Sequence, residues 1–329
     1  MNPPRRRFLS LAASSVTLAS LTHQARAQTY PARPITMIVP ATAGGPTDAI
    51  GRVLSERLTA ALGQTVLVDN VAGAAGSIGV GKVARAAPDG YTLGIGQWSH
   101  YVLNGATYAL PYDLVADFAP IAMLVTGPLL LVSRKDLPSN DLKSLIAWLK
   151  ASAGKATAGT GGIGTPGHIA GIFFEKMTGT QFQFVPYRGT APAMRDLMAG
   201  QIDIMIDQAS NVLPHLRAGT IKAFAVTSKE RLASAPDVPT VDEAGLPGLY
   251  VSVWHGLWGP KSMPADIIAR LNGAVVKSLG EQGTREKLAA LGQEIPPPEQ
   301  LTPQALAAYQ KAEIEKWWPI VKAAGIKAE

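Results

Sequence analysis

The sequence lacks cysteine, a membrane-spanning apolar run and a basic patch. It has 0 Cys among 329 residues, which excludes disulfide bonds, thiolate chemistry and metal sites with cysteine ligands. The apolar run near the N-terminus is well short of the roughly 20 residues that span a bilayer. Once the N-terminal segment described next is set aside, no Lys/Arg-rich cluster of the kind that binds nucleic acid remains. We therefore expect no nucleic-acid partner.

Residues 1–27 have the features of an export signal. Arg5–Leu9 (RRRFL) precedes a run rich in Ala, Ser and Thr, and Ala25–Ala27 offers the small residues that a signal peptidase reads. The arginine order resembles a twin-arginine signal; a disordered basic tail is the alternative. Its removal takes away four arginines and no acid, so the formal charge of +6 belongs largely to this segment. We expect a mature periplasmic chain that begins at Gln28.

Strand-like apolar segments alternate with helix-length segments along the mature chain, which predicts parallel sheets with helices on their faces. The predicted strands are Ile35–Pro40, Val66–Val71, Thr92–Gly96, Ala156–Thr160, Phe182–Tyr187, Ile202–Asp207 and Ile221–Thr227. The predicted helices are Thr47–Leu62, Ile78–Ala86, Asp141–Ala151, Pro166–Thr178, Ala191–Ala199, Asn211–Ala218, Pro264–Leu279, Thr284–Leu291 and Pro303–Ala324.

Two long apolar segments, residues 121–134 and 251–260, bracket the middle α/β series. The first suits a strand that leaves one sheet and enters another. We predict a discontinuous domain 1 (residues 28–126 plus 251–329) and a domain 2 (residues 127–250). Two chain crossings make a hinge, as in clamshell proteins that close on a ligand. Because ligands bind beyond the carboxyl ends of such strands, the predicted site is the cleft between the lobes.

The stretch GTGGIGTPGH, residues 159–168, has the G-x-G-x-x-G spacing of dinucleotide loops. That interpretation requires an acidic residue about 20 positions later, and residues 182–188 contain none. The alternative is an anion site, because Pro166 suits the start of a helix whose free N–H groups and dipole attract negative charge. Thr165 is placed to cap that helix. We favour the anion site and expect no cofactor.

The loop after the first predicted strand has the same organisation. Gly44 and Gly45 expose backbone donors beside Ala43, and Thr47 supplies a hydroxyl group. Asp48 either organises the loop by accepting from N–H groups, which we favour, or contacts the ligand directly. One glycine-rich helix start in each lobe predicts capture of an anion on closure; the alternative is two ordinary βα turns.

Three further loops follow predicted strands. They offer Gln97-Trp98-Ser99, Tyr187-Arg188 and Asp207. Arg188 suits a bidentate pair with a ligand carboxylate or, equally, with Asp207. Trp98 suits an apolar wall of the ligand site or plain packing.

Catalytic motifs are incomplete. In AGSIG, Ala75 stands where a nucleophile elbow has its first glycine. His100, His168, His215 and His255 occur singly, without metal-ligand spacing. We expect neither an enzyme nor a metal site. The alternatives are an exported enzyme, either a hydrolase using Ser77 or a cofactor-bearing oxidoreductase, and a receptor for an oxyanion or a nucleotide.

Several ordered motifs over the mature chain resemble the Bug family, the periplasmic solute receptors of tripartite tricarboxylate transporters. They are ITMIVPATAGGPTDAIGRVLSERL, NVAGAAGSIGVGKVARAAPDGYTLGIG, FVPYRGTAPAMRDLMAGQIDIMID and VPTVDEAGLPG. The resemblance implies an α/β type II periplasmic binding protein, with two doubly wound lobes joined by crossing strands and no enzymatic activity. It also implies membrane transporter subunits as partners; we expect a monomer.

The resemblance implies a ligand that is a dicarboxylate, a tricarboxylate, an acidic amino acid or an aromatic acid. In the family, two βα loops grip the ligand carboxylate, partly through ordered waters. The matching positions are Ala43, Gly44, Thr47 and Asp48 in one lobe, and Thr160, Gly161, Thr165, His168, Tyr187, Arg188, Gly189 and Asp207 in the other. Many relatives have an aromatic residue in place of Ala41 or Thr42 and small hydroxyl residues in place of Gln97-Trp98. We expect these positions to shape the distal end of the ligand site, so the ligand of a relative does not predict the ligand of this protein.

Overall fold

The structure is a computed structural model that describes residues 30–327. The expected export signal, residues 1–27, lies outside the described residues. The described strands are β1 (Ile35–Val39), β2 (Val66–Asn70), β3 (Thr92–Gln97), β4 (Phe118–Arg134), β5 (Thr157–Thr160), β6 (Gln183–Pro186), β7 (Ile204–Gln208), β8 (Ile221–Val226) and β9 (Ser252–Pro260).

The helices cover the segments between the strands and the C-terminal part of the chain. They are α1 (Pro46–Leu62), α2 (Ser77–Ala84), α3 (Asn104–Thr107), α4 (Leu142–Ala151), α5 (Pro166–Thr178), α6 (Thr190–Met198), α7 (Ala209–Arg217), α8 (Ala265–Gly280), α9 (Gln282–Ala290) and α10 (Pro303–Ala323). Each predicted helix is present, with ends that differ by a few residues.

The strands form two sheets that share β4. In the first sheet β1 lies between β2 and β3 in parallel pairs, and β9 runs antiparallel between β3 and β4. In the second sheet β4 pairs antiparallel with β7 and β8, and β5 lies in parallel between β6 and β7. We call the halves built on these sheets the first lobe and the second lobe.

Strand β4 crosses from one lobe to the other. Phe118–Pro128 pairs with β9 in the first sheet, and Leu129–Arg134 pairs with β7 and β8 in the second. This is the behaviour expected of residues 121–134, whose side chains are mostly buried; helices α7, α8 and α10 pack against β4. The exact domain division, at residues 126/127 and 250/251, stays a prediction.

The segment after β3 differs from the expected loop. A π-helix, Ser99–Leu103, follows the strand almost at once and continues into α3. Gln310 of α10 holds this segment, because its side-chain amide donates to the carbonyls of Tyr101 (2.9 Å) and Leu114 (2.8 Å). The indole N–H of Trp258 donates to the same glutamine. π-Helical turns are rare and often lie at functional sites.

Candidate functional site

A cleft of about 540 Å³ lies between the carboxyl ends of the strands of the two lobes. This volume is in the usual range for sites that bind small molecules. The first lobe contributes the loops after β1, β2 and β3, and the second lobe contributes those after β5, β6 and β7. The sequence-predicted residues that line it are Gly45, Thr47, Gln97, Gly161, Thr165, Tyr187, Arg188, Gly189 and Asp207.

The loop after β1 is fixed by Asp48 from beneath. Asp48 is 2% exposed, and its carboxylate accepts from the Gly44 N–H (2.8 Å), Arg52 (2.9 Å) and Asn70 (3.0 Å). Burial opposes its ionisation, but these hydrogen bonds outweigh burial and lower the pKa of Asp48. In the structure Asp48 organises the loop, whereas Ala43 and Gly44 are exposed and lie off the cleft lining.

Helix α1 directs its free N–H groups at the cleft. Its first internal hydrogen bond is donated by Ala49 to Gly45, which leaves the N–H groups of Thr47 and Asp48 without a helical partner. No side chain caps this end. Thr47 lines the cleft, and its buried hydroxyl oxygen lies 3.4 Å from Nε2 of His255.

Helix α5 repeats this arrangement from the second lobe. Its first internal hydrogen bond runs from Ile169 to Thr165, so the N–H groups of Gly167 and His168 have no helical partner. Thr165 occupies the N-cap position, but its hydroxyl donates to the Gly162 carbonyl (2.7 Å) and does not cap the helix. The expectation of a side-chain cap was therefore wrong.

Thr160 and His168 support the second loop from behind. The Thr160 hydroxyl accepts from the Gly162 N–H (3.3 Å), and Nδ1 of His168 accepts from the Gly164 N–H (3.3 Å). Neither side chain is part of the cleft lining. Burial lowers the pKa of His168, so this histidine is a neutral acceptor within the loop.

Two more helices of the second lobe begin at the cleft. Gly189 and Gln208 are the N-cap residues of α6 and α7, and both line the cleft. The Gln208 side-chain amide donates to the side chain of Gln97 in the first lobe. This hydrogen bond joins the lobes at the floor of the cleft.

Asp207 is the buried acid of the cleft. It is 2% exposed and accepts from Asn211 (2.6 Å) and from the Gln208 N–H (2.8 Å). Burial raises its pKa to about 6, although these hydrogen bonds work in the opposite direction. Among the ion pairs of residues 30–327, none joins Asp207 to Arg188, whose side chain is exposed at the cleft.

Two buried histidines lie behind the first-lobe loops. His100 lines the cleft, and its Nδ1 accepts from the Gln97 N–H (3.3 Å). His255 lies opposite Gln97 in the pairing of β3 and β9. Burial lowers the pKa of both rings to about 3, so they are neutral at physiological pH.

Trp98 and Ser99 are corrections to the predicted site. Trp98 is 1% exposed and packs edge-on against Trp317, with 4.6 Å between ring centroids. The hydroxyl of Ser99, which is 0% exposed, accepts from Gln97 (3.2 Å). The π-helix turns both residues into the core, so Trp98 does not form an apolar wall of the cleft.

Sequence reasoning missed several residues of the cleft lining. The turn Gly73–Gly76 follows β2 and faces the cleft, and its glycine-rich composition at a strand end was a usable signal. Gly76 is required there, because a Cβ atom would lie 2.6 Å from the Pro40 carbonyl oxygen. Tyr108 and Lys327 also line the cleft, and no motif in the sequence marks either residue.

Within residues 30–327, no group of three or more His, Asp or Glu side chains is arranged to hold a metal ion. None of the described helices combines the length and apolar character needed to cross a bilayer.

Two α/β lobes that share a crossing strand and enclose a cleft define a periplasmic binding protein of type II. The receptor family of tripartite tricarboxylate transporters (TctC) matches residues 50–326, and the chain belongs to this family. A protein from Agrobacterium vitis, encoded in the TAR-I ttuE-ttuC' intergenic region, is 39% identical over 94% of this chain and 90% of its own length. BugT of Bordetella pertussis is 35% identical over 98% of both chains.

Solved structures of similar sequence have the same fold. The periplasmic binding protein BugD is 38% identical, with a TM-score of 0.86 over 91% of this chain and 100% of BugD. MatC from Rhodopseudomonas palustris, solved with bound malate, is 36% identical, with a TM-score of 0.84 over 89% of this chain and 100% of MatC. Rpa4515 from R. palustris, solved with adipate, is 34% identical, with a TM-score of 0.87 over 91% of this chain and 100% of Rpa4515.

These comparisons confirm the expected family and fold. The protein is a solute-binding receptor of a periplasmic family and not an enzyme. The alternatives of a hydrolase acting through Ser77 and of a cofactor-bearing oxidoreductase are therefore set aside.

Proposed function

We propose that the protein captures a small organic carboxylate in the cleft and delivers it to the membrane subunits of a tripartite tricarboxylate transporter. One observation carries this proposal. The N-termini of α1 and α5, which belong to different lobes, face the same cavity with unpaired backbone N–H groups. Such groups and the positive ends of the helix dipoles favour an anion. Closure of the lobes sets both around one carboxylate group.

The proposed ligand class is a dicarboxylate, a tricarboxylate or an aromatic acid. The bound malate of MatC and the adipate of Rpa4515 support the first of these. The neutral imidazole of His100 and the amide of Gln97 add polar contacts without charge. We further propose that the chain is exported to the periplasm, is cleaved near Ala27 and acts as a monomer.

Isothermal titration calorimetry of the mature protein tests this function. Succinate, malate, adipate, citrate and terephthalate form the panel, and at least one acid should bind saturably with one-to-one stoichiometry. Inorganic phosphate is the competitor that separates a carboxylate receptor from an oxyanion receptor. A blank for the whole panel, or displacement of the bound acid by phosphate at equal concentration, would contradict the proposal.

A charge placed in the cleft tests the site itself. Ala41 lines the cleft and its carbonyl oxygen accepts from Asn70, so a longer side chain there leaves the backbone contacts in place. Ala41→Asp should weaken carboxylate binding by about tenfold or more, because like charges a few ångströms apart repel by about 1–4 kcal/mol. Ala41→Asn has nearly the same size and no charge, and it is the matched control. Equal losses in both variants would rule out an anion at this position.

A further inference from the structure

Lys327 lines the cleft although it follows the last helix of the fold. Helix α10 ends at Ala323, and four residues later the chain contributes Lys327 to the cavity wall. The helix packs against β4 and the π-helix of the first lobe. The indole N–H of its Trp318 donates to the Val102 carbonyl (2.8 Å). Lys327 therefore extends from an element anchored on the first lobe.

The turn after α10 fixes the direction of the chain toward the cleft. Gly325 has a left-handed φ of 66°, and its N–H donates to the Lys322 carbonyl (3.1 Å). The Ile326 N–H donates to the Val321 carbonyl (3.2 Å), and the side chains of Ile326 and Val321 belong to the same core cluster. This pair of bonds with its apolar contact is the Schellman motif, which gives a helix end one defined exit.

The charged groups of the cleft are unevenly distributed. Among the described lining residues, the charged side chains are Arg188, Lys327 and Asp207. Asp207 is buried at the floor, whereas Arg188 and Lys327 are exposed while lining the cleft, which places them at its mouth. Arg188 comes from the second lobe and Lys327 from the first. Lobe closure thus brings a cation to the mouth from either side.

We propose that Lys327 is a specificity residue that, together with Arg188, selects acids with a second carboxylate over monocarboxylates. This inference rests on the proposed function, which assigns one carboxylate to the helix N-termini deep in the cleft. A second carboxylate on the same ligand extends toward the mouth and pairs with the two cations. A monocarboxylate satisfies the deep site and leaves the mouth to water, so its affinity does not depend on Lys327.

Matched pairs of acids test this inference. Adipate and hexanoate, and succinate and butyrate, are titrated calorimetrically into the full mature chain and into Lys327→Gln. The variant should bind the dicarboxylates about threefold to fivefold more weakly, as expected for one exposed ion pair. Its affinity for the monocarboxylates should stay within about twofold. Raising the ionic strength should narrow the gap between the variant and the unchanged protein, because salt screens exposed pairs.

Two control variants and one further test variant separate the effect of a cation at the cleft mouth from effects of net charge and of backbone change. Lys311→Gln removes the same charge from an exposed position of α10 and should change no affinity. Gly325→Pro cannot adopt the φ of 66° and has no N–H to donate to the Lys322 carbonyl, so it redirects the exit turn and should reproduce the selective loss. Gly63→Pro makes the same change at the end of α1, where the Gly63 N–H donates to the Thr59 carbonyl, and should leave selectivity unchanged.

The outcomes distinguish this inference from the proposed function. If the unchanged protein binds acids but Lys327→Gln retains full affinity for dicarboxylates, or loses affinity equally for both members of each pair, only the inference is overturned. A preference of the unchanged protein for monocarboxylates over dicarboxylates would likewise overturn only the inference. If the unchanged protein binds none of these four acids, the inference fails; if it also binds none of malate, citrate and terephthalate, the proposed function fails with it.

Discussion

At the scale of single residues, Asp207 places a buried carboxyl group in a cleft that is otherwise suited to anions. Its pKa is raised to about 6 by burial. Below this value the carboxyl group is neutral and can donate a hydrogen bond to a guest. Above this pKa the carboxyl group is ionised and repels an anionic ligand. His100, whose pKa lies near 3, does not change its charge in the same interval.

This titration predicts a pH dependence of binding. Affinity for malate, which is mostly a dianion over the interval, should fall by about fivefold between pH 5.5 and pH 8, because charges of like sign are brought together only above the pKa of Asp207. Asp207→Asn should flatten the profile, and calorimetry at several pH values measures both. An affinity that rises with pH would show that Asp207 binds as an acceptor for a ligand donor.

The sequence predicted these residues to different extents. The glycine-rich starts of α1 and α5 were found because each lies where an apolar strand ends, and the positional rule for such sheets brings them together. Trp98 was misplaced because the rule assumes a loop after β3, whereas the π-helix turns that side chain inward. Lys327 had no local signal, since its place depends on how α10 packs against another part of the chain.

At the scale of elements, the π-helix depends on a partner distant in sequence. Gln310 is 3% exposed and bonds two main-chain carbonyls and one indole N–H. Gln310→Leu keeps a similar volume but leaves these groups without partners. The free energy of unfolding should fall by about 2–4 kcal/mol, measured by urea denaturation.

The control for this prediction lies on the same helix. Gln304 is exposed, so Gln304→Leu should change the unfolding free energy by less than about 0.5 kcal/mol. Equal effects of the two substitutions would mean that α10 does not hold the π-helix through Gln310.

Element type and order were predictable because apolar periodicity reports burial directly. The alternation of strands and helices, and the long strand over residues 121–134, follow from that signal. Helix α3 and the π-helix were not predictable in this way, because apolar and polar residues of Ser99–Thr107 follow no clear periodicity. The conformation of this segment depends on tertiary contacts with Gln310 and Trp318. Local propensity gives way to packing at such sites.

At the scale of the whole molecule, closure depends on a narrow contact between the lobes. Gly189, in the second lobe, has a φ of 131°. A Cβ atom there would lie 2.5 Å from the hydroxyl oxygen of Thr42 in the first lobe. Gly189 thus allows the loops after β1 and β6 to meet over the cleft.

A side chain at this contact should hold the lobes apart. Gly189→Ala is expected to weaken carboxylate affinity by about tenfold or more, because the closed form loses population to the open form. Calorimetry measures the affinity, and small-angle X-ray scattering with saturating ligand measures the radius of gyration.

Two further variants isolate closure from backbone strain. Gly200→Ala places a Cβ at a left-handed φ of 72° with no neighbour within 4 Å, so it should reduce stability by about 1–2 kcal/mol without reducing affinity. Gly189 has a φ of 131° and a ψ of 168°, a conformation that is essentially restricted to glycine, so the double variant that follows is the control for strain at Gly189 itself. Adding Thr42→Ala to Gly189→Ala should restore part of the binding. A loss of affinity in Gly200→Ala equal to that in Gly189→Ala would refute the role of the contact.

Strand β4 also governs how the molecule comes apart. Strand β4 supplies hydrogen bonds to both sheets. Neither lobe can therefore unfold without removing β4 from the sheet of the other lobe. Heat denaturation should accordingly be a single cooperative transition, with equal calorimetric and van't Hoff enthalpies. A destabilising change in either half then lowers the melting temperature of the entire receptor.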